Sequence, residues 1–210
     1  MATGGYGWEA FTLTTEDDYI LTLFHITEKK GYDIKQDESL KPVLFMPGQG
    51  TDSTAAILPI KTVEPMVFQL FDYGFDVWMA NNRGTKYSQG HKSLTTLDPE
   101  YWAFSWAEMG LYDSITNVKF VKEKTGKQVS FIGVSQGTVQ MFYALSKLED
   151  EFLGDALWTF AAIDPCTIQL DEGQEEVYWD GLFHFKEYGI TAFNGPNWKQ
   201  DHKTICDNFS

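Results

Sequence analysis

The spacing of hydrophobic residues changes along this chain, and the changes mark out its elements. Residues 8–15 and 18–27 read as two strands, carrying Phe11 and Leu13, then Ile20, Leu21, Leu23, Phe24 and Ile26. The polar Glu16-Asp17-Asp18 turn between them makes an antiparallel hairpin. Lys29 to Lys41 is polar and reads as loop. Pro42-Val43-Leu44-Phe45-Met46 is continuously apolar, as in a central strand covered on both faces, and it stops at Pro47-Gly48-Gln49-Gly50. Between Glu64 and Tyr73, Val67, Leu70 and Phe71 share one helical face, and Gly74 closes that helix. Asp76 to Ala80 is again strand-like and runs into a long polar loop, Asn81 to His91. From Trp102 to Lys124 a helical stripe holds Trp102, Trp106, Met109, Tyr112, Ile115, Val118 and Val121, with Gly126 beyond its end.

The second half repeats the alternation. Val129 to Val134 is a strand, Thr138 to Leu148 a helix, and Ala156 to Ile163 a further strand ended by Asp164-Pro165. Strand and helix alternating through residue 163 imply a mostly parallel sheet with helices on both sides, an α/β fold. Beyond Pro165 the pattern is lost. Trp179, Phe183, Phe185, Tyr188, Phe193 and Trp198 stand among glycines and carboxylates without a period of two. The division expected is therefore a core over residues 1–164 and a helical, loop-rich cap or lid over 165–210.

One stretch carries chemistry. Gly133-Val134-Ser135-Gln136-Gly137 is a G-x-S-x-G pentapeptide lying between a strand and a helix. A serine on so sharp a turn sits in a strained conformation, and the residues two before and two after it must lack side chains. Such a turn lifts the Ser135 hydroxyl above the sheet edge with a helix N-terminus beneath it, where the Gln136 N–H faces a developing oxyanion. A second oxyanion donor in this architecture comes from the turn after the third strand, which makes the Gln49 N–H the candidate and gives Gly48 the role of letting the backbone approach. Read alone, Pro47-Gly48-Gln49-Gly50 is equally an ordinary strand-ending turn.

Charge and composition narrow the partners. The formal net charge is −14 and the pI near 4.5, which argues against nucleic acid and against electrostatic docking on anionic membranes. The acidic runs Glu149-Asp150-Glu151 and Asp171-Glu172 with Glu175-Glu176 read as solvated faces. Aromatic residues make up 16% of the chain, enough to line an apolar cleft as well as fill a core. Cys166 and Cys206 are too few for a zinc site of the usual spacing, and both one disulfide and two free thiols fit the sequence. No stretch approaches a membrane span, the first residues lack a signal segment, and neither metal nor cofactor is expected.

Four segments in order resemble the acid lipase family of α/β-hydrolases, the gastric and lysosomal acid lipases. They are Thr14-Thr15-Glu16-Asp17-Asp18-Tyr19-Ile20-Leu21, Gly74 to Thr85 with Tyr87-Ser88 and His91 to Leu94 following, Tyr101 to Met109 with Tyr112-Asp113, and Gly133 to Thr138. The resemblance covers roughly residues 8–148. It implies Ser135 as nucleophile, the Gln49 and Gln136 amides as oxyanion hole, a lipid ester as substrate, and a secreted or lysosomal setting. Val134 stands where the family usually has histidine, and Pro47-Gly48-Gln49 replaces its "HGL"; neither change removes a backbone donor.

A serine needs a histidine to take its proton and a carboxylate to hold that histidine. In the family both lie well downstream, so the expectation is an α/β-hydrolase fold truncated after the strand that follows the elbow, with the triad acid and base on a C-terminal portion or a partner subunit that also covers the open sheet edge. His25 sits in an early strand, His91 in the polar loop, His184 and His202 in the cap-like tail. Asp164, at the end of the strand after the elbow, is a stand-in candidate for the acid, and Arg83 and His91 read as braces for their loop. The alternative is a non-catalytic hydrolase-like subunit of a larger assembly.

Overall fold

The computed structural model describes residues 5–29, 31–33, 39–57, 64–147 and 151–165. Strands β1 (Tyr6–Thr14) and β2 (Tyr19–Lys29) form the expected antiparallel hairpin. Its turn is fastened by Thr15, whose hydroxyl accepts from the Tyr19 N–H at 2.9 Å and donates to Asp17 Oδ1 at 2.7 Å. Short β3 (Tyr32–Asp33) follows, then β4 (Lys41–Met46), helix α1 (Met66–Asp72), β5 (Phe75–Met79) and short β6 (Gly90–His91). The second half runs through helices α2 (Trp106–Glu108) and α3 (Ile115–Thr125), strand β7 (Val129–Val134), helices α4 (Gln136–Lys147) and α5 (Glu151–Ala156), and strand β8 (Leu157–Ile163).

The sheet order is β1-β2-β5-β4-β7-β8, antiparallel at β1/β2 and β2/β5 and parallel from β5 to β8. β3 and β6 lie in stretches read from sequence as loop. They form because β5 pairs with β2 only at Phe24 and His25, leaving both ends of an 11-residue strand with unmet backbone groups that two-residue partners satisfy.

Alternate residues of the central strands feed two cores. Leu44, Met46, Trp78, Val129 and Phe131 face α3, α4 and α5, meeting Val118, Val121, Met141, Ala144 and Leu153. Phe45, Val77 and Met79 face the other way, against Val67, Phe68 and Phe71 of α1. Helices thus cover both faces, as the alternation of elements requires. Helix α5 is an addition to the sequence reading; directly after the acidic run it buries Leu153 and Ala156.

The helix expected from Trp102 starts later. Pro99–Trp102 is a separate 3-10 turn, and the helical run begins after Ser105, whose side chain and Glu108 form a capping box. Between α2 and α3 the chain widens into a π-helical segment, Met109–Ser114. There Gly110 lies against α4 so closely that a Cβ would stand 2.6 Å from the Gln140 carbonyl oxygen. Among the described residues no helix is long and apolar enough to cross a membrane. The cap expected over 165–210 lies outside the described residues except for Pro165.

Candidate active site

Ser135 occupies the single-residue turn between β7 and α4 with φ of 50°, a left-handed conformation that side-chain-bearing residues seldom adopt. Two main-chain bonds and a side-chain hydroxyl hold it there: its N–H donates to Ile163 O at 2.9 Å, and its carbonyl accepts from the Thr138 N–H at 2.9 Å and the Thr138 hydroxyl at 2.6 Å. The flanking glycines are set by crowding. A Cβ on Gly133 would meet Gly137 O at 2.7 Å, and one on Gly137 would meet Met46 O at 2.6 Å and Pro47 O at 2.9 Å. Those obstacles are backbone atoms, which cannot swing aside.

The same crowding brings the loop after β4 to the serine. A Cβ on Gly48 would lie 3.1 Å from Ser135 Cβ and 3.7 Å from its Oγ. Gly48 to Thr51 is a tight turn: the Gly48 carbonyl accepts from the Thr51 hydroxyl at 3.0 Å and from the Thr51 N–H at 3.4 Å, and Gly50 has φ of +67°. The Gln49 and Gln136 N–H groups donate to no carbonyl among the described residues. Ser135, Gln49 and Gln136, named from sequence, therefore belong to adjoining backbone segments at one end of the parallel strands. The Thr51 contact was not among the expectations, although a threonine after Gly-x-Gly is a signal of turn fastening.

Asp164 directly follows Ile163, whose carbonyl anchors the Ser135 amide; it is exposed, has φ of 48°, and meets no histidine among the described residues. The two described histidines are engaged elsewhere. His25 lies between Glu9 Oε1 at 3.1 Å and Asp76 Oδ1 at 2.5 Å and stacks on Trp78 at 3.8 Å. His91 Nδ1 accepts from the Ser93 and Leu94 N–H groups, both at 3.1 Å. His184 and His202, like Cys166 and Cys206, lie outside the described residues. No group of three or more histidine, cysteine or acidic side chains among the described residues is arranged to hold a metal.

Next to this end of the sheet sits a buried charge knot. Arg83, 1% exposed, donates from Nη1 and Nη2 to Asp17 at 2.5 and 2.8 Å and from Nε to Asp113 at 2.8 Å; its own N–H adds a bond to Asp113 at 2.8 Å. Its guanidinium lies 3.9 Å from the Tyr19 ring centre. Complete burial pushes the Asp113 carboxyl up to about 6 despite Arg83 against it. At Asp17 burial also pushes upward, but the bonds from Arg83 and Thr15 outweigh it and hold that carboxyl below its ordinary value. The expectation that Arg83 braces its loop agrees with this geometry; the π-helical segment that delivers Asp113 was missed.

A strand, a strained serine between two backbone-crowded glycines, a helix and a loop from an earlier parallel strand pressed onto that serine are the arrangement of the α/β-hydrolases, and the chain belongs to that family. The family model described as alpha/beta hydrolase fold matches residues 41–167, and a second, described as a partial alpha/beta-hydrolase lipase region, matches residues 1–57. Within the family its relatives are lipases. It is 38% identical over 163 residues to human lysosomal acid lipase/cholesteryl ester hydrolase, covering 77% of this chain and 40% of that protein. It is 36% identical over 143 residues to human lipase member K, covering 68% and 35%. The chain thus spans about 40% of the length of the first of these relatives. A Pyrococcus furiosus esterase shares the fold with a TM-score of 0.57 at 20% identity, over 88% of this chain and 65% of that one.

Proposed function

We propose that this protein is a serine carboxylic-ester hydrolase of the acid-lipase type, acting on lipid-like esters. Ser135 Oγ attacks the ester carbonyl carbon, and its proton passes to a histidine. The Gln49 and Gln136 N–H groups receive the oxyanion, the alcohol departs with that proton, and water then releases the acid from the acyl-serine. The observation that carries this reading is the close approach of the Gly48 turn to Ser135, a residue held at positive φ; it supports the Gln49 and Gln136 N–H groups, which donate to no carbonyl among the described residues, as the oxyanion donors. Similarity to a protein named lysosomal acid lipase/cholesteryl ester hydrolase supports the substrate class.

The proton-handling half belongs to polypeptide beyond the described core. Residues 1–164 are read as hydrolase core and 165–210 as cap, with the triad histidine and acid on a C-terminal portion or partner that also pairs with β8. Trp158, 64% exposed, and Ile163 on that edge strand favour such a covering. They equally motivate a second reading, a non-catalytic subunit whose sheet is completed by its assembly.

The test is reaction of the native protein with a fluorophosphonate, located by mass spectrometry. Modification at Ser135, absent from Ser135→Ala, is expected. An unreactive Ser135 in the complete protein rejects the hydrolase reading in favour of the subunit.

A further inference from the structure

We propose that Thr51 is a positioning residue of the oxyanion hole: its hydroxyl holds the Gly48 carbonyl and so aims the Gln49 N–H at the reacting oxygen. The inference rests on the hydrolase reading of Ser135 and extends it to a side chain outside the G-x-S-x-G motif.

A trans peptide holds its N–H opposite its carbonyl, and no cis peptide bond occurs among the described residues. Fixing the Gly48 carbonyl therefore fixes the direction of the Gln49 N–H. The turn's own main-chain bond does this poorly, at 3.4 Å from the Thr51 N–H, whereas the Thr51 hydroxyl reaches the same oxygen at 3.0 Å. The neighbouring residues leave that peptide otherwise free to rock. Gly50 has φ of +67° and, among the described residues, a Cβ built there would meet nothing within 4 Å, so none of them clamps the far side of the turn. Gln49, Gly50 and Thr51 are all exposed. On the near side, a Cβ on Gly48 would stand 3.1 Å from Ser135 Cβ and 3.3 Å from the Val134 carbonyl oxygen, so the turn has little room to move closer to the serine. The hydroxyl is thus a side-chain restraint on a peptide plane whose direction matters to the chemistry.

Preorganisation is what an oxyanion donor contributes, since an N–H that must reorient during reaction loses most of its advantage over water. Deleting a donor outright costs on the order of 100-fold or more, so loosening one costs about 10-fold. The loss falls on the chemical step and not on binding, because the oxyanion exists only after attack.

The experiment measures the rate of Ser135 phosphonylation against fluorophosphonate concentration in the complete protein for wild type, Thr51→Val and Thr51→Ser. Valine keeps the shape and removes the donor; serine keeps the donor. The expected result is a maximal inactivation rate about 10-fold lower in Thr51→Val, with half-saturating concentration unchanged and melting temperature close to wild type, and recovery in Thr51→Ser. Equal maximal rates in Thr51→Val and wild type overturn the proposal, as does a loss shared by Thr51→Ser or one that merely tracks melting temperature. A wild-type protein that is not labelled at all rejects the hydrolase reading, and this inference falls with it.

Discussion

The elbow around Ser135 and the knot around Arg83 are built by opposite means. At the elbow, shape is achieved by leaving side chains out: Gly133, Gly137 and Gly48 let three backbones come within van der Waals contact, and the strain at Ser135 is held by main-chain bonds. At the knot, side chains do most of the work: one guanidinium spans the hairpin turn, the loop after β5 and the π-helical segment through two carboxylates, and the Arg83 N–H adds one main-chain bond. The first kind of construction is contiguous and unforgiving. The second is distributed and adjustable.

Substitutions can break that contrast. The largest effect expected is Ser135→Ala, which removes fluorophosphonate labelling by about 1,000-fold or more with little change in unfolding midpoint. Next is Arg83→Met, which strands a fully buried Asp113 and lowers stability by about 3–5 kcal/mol in urea unfolding; adding Asp113→Leu should restore much of it. Gly137→Ala should cost about 3 kcal/mol by overpacking against Met46 and Pro47, and no second substitution should rescue it, because the atoms in the way are main chain. Ser135→Gly should work in the other direction, raising stability by about 1 kcal/mol as the positive φ is relieved.

The smallest effect is a pH dependence. Asp113 has a folded-state value raised to about 6, so its proton is bound more tightly in the native than in the unfolded chain, and its contribution to stability is greatest under acid and declines as pH rises through 6. Asp17 is lowered and has the opposite sign: its contribution is present above the ordinary carboxylate value and is lost only as pH falls through its depressed folded value. The melting-temperature gap between wild type and Asp113→Asn should therefore narrow from pH 4.5 to pH 8. A gap that widens would show that the ion pair with Arg83 outweighs the burial of Asp113.

The same contrast explains what could be read from sequence. The strands, their parallel succession and the serine elbow were legible because each is written in neighbouring residues: a run of apolar side chains, or a glycine at a fixed offset. The late start of the long helix was also written locally, in Ser105 and Glu108, and was passed over because the aromatic stripe through Trp102 was the stronger signal. The knot was not legible, because nothing local to Asp17, Arg83 or Asp113 says that they meet. The π-helical segment depends on Gly110 fitting against Gln140, a contact between helices that no periodicity records. The short strands β3 and β6 exist only because β2 outreaches its partner.

The pairing of β4 with β7 has an entropic side. Val43 meets Ser130, and Gly48 meets Ser135, across most of the intervening chain, whereas β1 and β2 close through a four-residue turn. Contacts so distant in sequence carry a larger loop-closure cost than the hairpin does. A chain in which β4 and β7 have not paired therefore carries the motif in full without yet possessing a site.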